Sequence, residues 1–191
     1  MYKLLIVLVL MIGSYLVIEF DIINQIDNSE IFNYCLVECQ LNNRVGDLMR
    51  KPDVPQRKLW QINGIVIHHD AVSRDSLKYE LLFEHAKYHV QTHGWASIAY
   101  HYYISANGTM YQTLNLNEIG NHTEGCNIST IAICLRGNFD KEKPTEPQIK
   151  ALKRLIKYLE FQFDFQFIAL HRDKNSDTSC PGANFNLNLI N

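Results

Sequence analysis

The sequence predicts a single α/β domain with a central mixed, mostly parallel β-sheet flanked by helices, preceded by an N-terminal apolar helix. Three observations carry this prediction. Short β-branched runs alternate with long stretches of helical apolar spacing, as in strands joined by crossover helices. Two of the runs are separated by a turn at Asn107-Gly108, which adds an antiparallel hairpin. The opening segment "MYKLLIVLVLMIGSYLVIEF" carries Lys3 and then no charge until Glu19.

In chain order, the apolar run from Leu4 to Ile18 spans about 22 Å as a helix, short of a ~30 Å bilayer core. A short apolar stretch behind a positive start is the pattern of a secretory signal or of an uncleaved signal-anchor, and residues 1–20 are assigned to one of these. Export is therefore expected, with the protein secreted or membrane-anchored through residues 4–18 and its domain on the extracytoplasmic side. Residues 21–57 show little periodicity and end in the proline-punctuated "KPDVPQRK", so they read as a linker or stalk. The domain proper is placed at 58–191.

Within it, "GIVIHHDAV" (64–72) has the β-branched run of a strand buried on both faces. "DSLKYELLFEHAKYHVQTHGW" (75–95) reads as a helix, with Asp75 as N-cap and Gly94 as its stop. "IAYHYYI" (98–104) and "TMYQTL" form the hairpin. "STIAICLRGNF" (129–139) is a second buried strand. "TEPQIKALKRLIKYLEFQF" (145–163) opens on Thr145, has Pro147 in its first turn, and carries Ile149, Leu152, Leu155, Ile156 and Leu159 along one face. "QFIAL" (166–170) is the last strand and delivers the chain to His171.

The 191 residues are 47% hydrophobic and 20% charged, which fits a folded domain, and the net charge of −2 leaves no basic footprint for nucleic acid. A monomer is expected. Five cysteines occur, at 35, 39, 126, 134 and 180. Cys35 and Cys39 suit a local disulfide in an exported chain, and Cys134 within "TIAICL" suits a small buried core residue.

His171 and Cys180 bracket the turn-rich loop "HRDKNSDTSCPG", a pair of donors that suggests a metal site in need of further ligands. Candidates for the third position are His68, His69, His85, His89, His93, His101 and His122. Side chains alternate along a strand, so His68 and His69 point to opposite faces and only one of them joins a given site; Asp70 lies on the His68 face. A rival site is the helical row His85, His89, His93, each four apart and so on one face, but without the H-E-x-x-H pattern.

Four fragments, "GIVIHHDA", "GWASIAYHYYISANGTMYQT", "NHTEGCNISTIAICLRGNF" and "HRDKNSDTSCPG", resemble in order and spacing the zinc-dependent N-acetylmuramoyl-L-alanine amidases. That superfamily includes phage amidase-lysozymes and the peptidoglycan recognition proteins of animals. The resemblance covers about residues 58 to 186. It implies His68, His171 and Cys180 as zinc ligands, leaving one coordination position open as in a catalytic site. It further implies Tyr100 as a catalytic residue, supported by Thr178, and His122 as a residue lining the substrate groove. The implied reaction is hydrolysis of the amide between N-acetylmuramic acid and L-alanine of peptidoglycan, with a non-catalytic recognition module for muropeptides as the alternative. Departures are Ala99 and Ala132 where glycine is usual, and Cys134 where some branches carry a glutamate. Arg172 and Asp173 are expected to orient the loop through hydrogen bonds, and Asp177 is a weaker substitute for Cys180 as a ligand.

Overall fold

A computed structural model of the chain describes residues 50–74 and 81–190. The apolar run 4–18, most of the linker, the cysteines at 35 and 39, and the expected cap Asp75 lie outside those residues. Five strands form one sheet in the order β3-β2-β4-β1-β5. Strand β1 (Gly64–His69) lies at the inner position between β4 (Thr130–Leu135) and β5 (Phe167–Leu170), parallel to both. Strand β2 (Tyr102–Ile104) runs parallel to β4 and antiparallel to β3 (Met110–Gln112). The sheet is thus mixed and mostly parallel, as the sequence predicts.

All six residues of β1 and of β4 are buried, which explains why both read as nearly continuous apolar runs. Their alternation splits the sheet into two unlike faces. Ile65, Ile67, Tyr102, Ile104, Ile131, Ile133, Leu135 and Leu170 belong to the main core, together with Leu152, Leu155 and Leu159 of helix α2 (Glu146–Gln162). The second face carries His68, directly across from Cys134.

Helix α2 starts where its sequence says. The Thr145 hydroxyl accepts from Gln148 N (3.2 Å), and Gln148 Oε1 accepts from Thr145 N (3.0 Å), closing a capping box worth about 1 kcal/mol. Buried Gln148 also donates to the carbonyl of Arg136 (2.7 Å), fastening the helix to the end of β4.

Two expectations shift in detail. The helix of the 75–95 segment is described as α1 (Leu81–Lys87), running on as a π-helical turn over Tyr88–Thr92 and stopping at Gly94, whose φ is +74°. The strand read as 98–104 is regular only from Tyr102. Residues 99–101 follow the sheet irregularly, with His101 N donating to Ala132 O (3.0 Å) and Thr113 N to His101 O (2.9 Å). The methyls of Ala99 and Ala132 are fully packed.

Residues 50–57, counted with the linker in the sequence, lie on the domain. Val54 and Arg57 are buried, and Gln56 forms a β-bridge with Glu118. Among the described residues no helix is long and apolar enough to cross a membrane.

Candidate metal centre

The carboxyl ends of β1 and β5 lie side by side, with Ile67 in register with Leu170, so His68 and His171 emerge as neighbours. Their rings sit 4.5 Å apart. The third donor comes back on the loop after the short helix α3 (His171–Lys174), where Arg172 N donates to Cys180 O (2.8 Å). The ring nitrogens of His68 and His171 and the Cys180 sulfur lie within 4.8 Å of one another, the sole such metal-competent group found among the described residues. His68 Nδ1 stands 3.7 Å from Cys180 Sγ. A nitrogen at ~2.0 Å and a sulfur at ~2.3 Å on a tetrahedral zinc lie about 3.5 Å apart, so the donor set and its spacing fit that ion.

The residues around the loop hold it in this shape. The Arg172 guanidinium donates to the carbonyls of Gly182 (2.8 Å) and Phe185 (2.6 Å), while Asp173 Oδ2 accepts from Leu170 N (2.9 Å). Both do the orienting work the sequence assigns to them. Asp140 grips the far side, accepting from the Ser179 hydroxyl (2.8 Å) and Ala183 N (3.0 Å). Gly182 has φ +104° and lies so close to the Phe139 backbone that a Cβ would collide with it, which is why the loop turns on glycine here. The Cys180–Pro181 peptide is cis.

The electrostatics favour neutral imidazoles. Burial, then the neighbouring His171 and His69, hold His68 well below the usual histidine range, and burial does the same to His171 more mildly. Burial also pushes the Cys180 thiol up to about 12, an effect opposed by the His69 N–H, which donates to its sulfur (3.4 Å). A divalent cation would reverse that preference, because a coordinated thiol loses its proton.

The other predicted residues fall into place unequally. Tyr100 is partly exposed, with its ring 5.4 Å from that of His68. Burial raises its hydroxyl well above the usual tyrosine range, and the neighbouring Cys134, Cys180 and Asp70 add to this, so the group is a hydrogen-bond donor at neutral pH. Cys134 is fully buried, as read from the sequence. Thr178 Oγ1 accepts from Cys180 N (3.1 Å), a turn bond within the ligand loop. His122 is only 7% exposed, and its Nδ1 faces His68 Nε2 at 3.2 Å. Asp177 is exposed and stands apart from the donor group.

The helical histidines are engaged elsewhere. His85 Nε2 meets Asp70 Oδ2 (3.3 Å), and buried His89 accepts from Ala99 N at Nδ1 (3.3 Å). His93 stacks on Trp95 with centroids 4.6 Å apart and planes 18° from parallel.

Sequence reasoning missed Arg57. Its buried guanidinium donates to the carbonyls of Leu116 (2.8 Å) and Thr130 (2.6 Å) and lies 2.8 Å from His101 Nε2, so it fastens the hairpin side of the site. Burial lowers it only to about 10, which leaves it charged at neutral pH. An arginine set between Gln56 and Lys58 in a polar stretch carries no periodic signal that would have marked it.

Comparison with known proteins identifies the family and the fold. The family described as N-acetylmuramoyl-L-alanine amidase matches residues 58–183. Peptidoglycan-recognition protein SC2 of Drosophila melanogaster is 31% identical over 124 residues, covering 62% of this chain and 67% of the relative. Among solved structures, the N-acetylmuramoyl-L-alanine amidase LysC from Clostridium intestinale superposes with a TM-score of 0.62 at 31% identity, over 71% of this chain and 87% of that one. A Drosophila PGRP-LB mutant in complex with tracheal cytotoxin gives a TM-score of 0.64 at 25% identity, over 72% and 85%. The chain belongs to the N-acetylmuramoyl-L-alanine amidase family, whose relatives include both amidases and peptidoglycan recognition proteins.

Proposed function

Starting from membership of that family, we propose that the protein is a zinc-dependent amidase that cleaves the bond between N-acetylmuramic acid and L-alanine in peptidoglycan. The observation that carries the reading is the convergence of His68, His171 and Cys180 at the carboxyl edge of the sheet. Three protein ligands leave a coordination position free, which distinguishes a catalytic site from a closed structural one. A zinc ion held there supplies Lewis-acid polarisation of the scissile carbonyl and activation of water near neutral pH.

The chain's own groups do the rest. His68 and His171 stay neutral and keep their lone pairs available. Tyr100, beside His68 and protonated, donates a hydrogen bond where negative charge develops on the carbonyl oxygen, a contribution typically worth about 10²–10³ in rate. Thr178 supports it by fixing the turn that presents Cys180. The domain works outside the cytoplasm, where the polymer lies, secreted or tethered by the apolar segment 4–18.

Some relatives are named as recognition proteins, which supports a second reading: binding of muropeptides without cleavage. The test is digestion of purified peptidoglycan by the full chain, following new L-alanine amino termini with zinc, with a chelator, and after zinc is restored. Chelator-sensitive release is the expected outcome. Binding without release, at one zinc per chain, would replace the amidase by the recognition module.

A further inference from the structure

We propose that His122, backed by Thr123, is a positioning residue for the metal centre: it accepts the Nε2 hydrogen of His68 and thereby leaves the His68 Nδ1 lone pair facing Cys180. The inference rests on the metal-centre reading above and adds to it a residue that holds a ligand in the right tautomer.

The geometry has two sides. On one, His68 Nδ1 lies 3.7 Å from the Cys180 sulfur. On the other, His68 Nε2 lies 3.2 Å from His122 Nδ1 and 3.5 Å from the Thr123 hydroxyl oxygen. A neutral imidazole has one donor nitrogen and one acceptor nitrogen, so the partner of one nitrogen decides the role of the other. With the hydrogen on Nε2, His68 donates into the His122–Thr123 pair and Nδ1 is free for a cation. With the hydrogen on Nδ1, it points at Cys180 and closes the site.

The surroundings of His122 allow the first arrangement. Its Nδ1 has two neighbours, His68 Nε2 and the Thr123 hydroxyl at 3.0 Å, and each can donate to it. Its own hydrogen then sits on Nε2, which is buried with no hydrogen-bond partner among the described residues. The ring is held from its backbone: His122 N and Thr123 N both donate to Asn127 Oδ1, at 3.0 and 2.7 Å. His101 stands edge-on to it at 6.0 Å, and that ring is fixed in turn by Ala132 N donating to its Nδ1 (3.1 Å). Such partners behind a ligating histidine fix ring orientation, and losing one typically weakens metal binding by about 10–100-fold.

The experiment reads zinc affinity of the full chain by competition with a chromophoric chelator at fixed pH, together with imidazole ¹⁵N NMR of the zinc-free protein. His122→Phe should bind zinc about 10–100-fold more weakly. His122→Asn, whose side-chain oxygen can accept from His68 Nε2, should recover most of that loss, which a role in packing alone would not produce. In the unsubstituted protein the NMR should place the His68 hydrogen on Nε2, a readout that does not depend on the folding of any variant. Unchanged affinity in His122→Phe, or a His68 hydrogen on Nδ1, overturns the inference and leaves the metal centre intact. A wild-type chain that takes up no zinc removes both.

Discussion

The molecule contains two histidine-rich groups, and they differ in what their nitrogens face. His85, His89 and His93 are brought together by one helical segment, four residues apart. His68, His171 and Cys180 are scattered over more than a hundred positions and are brought together by the sheet and one loop. In the helical group His85 turns to Asp70, His89 accepts a backbone N–H, and His93 lies flat on Trp95. In the scattered group the donor atoms turn toward one another within 4.8 Å. Regular spacing along a helix makes neighbours, but a metal site needs lone pairs that converge and are not already used. Parallel strands ending side by side supply that convergence.

The largest effect is expected from Cys180→Ser. Replacing the thiolate donor should abolish stoichiometric zinc and, with it, the release of L-alanine termini. Metal analysis and the digestion assay on the same preparation check this. Zinc retained at one per chain would move the centre elsewhere, and the helical row would be the first place to look.

Next in size is Tyr100→Phe. The hydroxyl is removed while the ring beside His68 remains, so zinc content should stay at one per chain and turnover should fall by about 10²–10³. Normal turnover would take Tyr100 out of the mechanism.

What could be read from the sequence follows the same division. Strands β1 and β4 were legible because burial on both faces demands unbroken β-branched runs. Helix α2 was legible because Thr145, Pro147 and the apolar face all speak locally. The ligand trio came from motifs matched in order, since neither periodicity nor spacing links His68 to Cys180. Partnerships set only by tertiary contact were not legible: Arg57 against the carbonyls of Leu116 and Thr130, or the burial of His122 behind His68. The alternation rule did separate His68 from His69 correctly, and His69 points to the core side, where Phe139 N donates to its Nδ1 (3.1 Å).

Asp70 joins the two regions, and its removal should show in stability. Its carboxylate accepts from the Tyr103 hydroxyl (2.7 Å), from Gly137 N (2.9 Å) and from Val72 N (3.0 Å), besides meeting His85. Asp70→Ala should cost about 3 kcal/mol in urea unfolding, as expected when one partner of a buried charged network is lost. Burial alone would raise this carboxyl, but the bonds from His85, Gly137, Tyr103 and Val72 outweigh it and hold the group below the ordinary carboxylate range. A depressed carboxylate stabilises the fold above its unfolded value of ~3.9, and that contribution is lost as pH falls through the lower folded value. The gap between wild type and Asp70→Ala should therefore be constant from pH 7 to about 4 and narrow below it. A gap that closes between pH 7 and 5 would assign the stability to a different group.

The smallest effect belongs to the histidine that the helical spacing made most tempting. His93 is exposed, and its ring packs against Trp95 at 4.6 Å and Tyr88 at 4.7 Å, with His89 farther off at 6.3 Å. It ends the row just before Gly94 turns the chain away. His93→Ala should leave zinc content unchanged and shift stability by no more than about 0.5 kcal/mol, the usual range for a surface change. The value of so small an effect lies in its contrast with Cys180→Ser on the same assay. If His93→Ala lowered zinc uptake, the helical row would share the metal with the sheet-edge trio, and the convergence of free lone pairs would no longer separate the two groups.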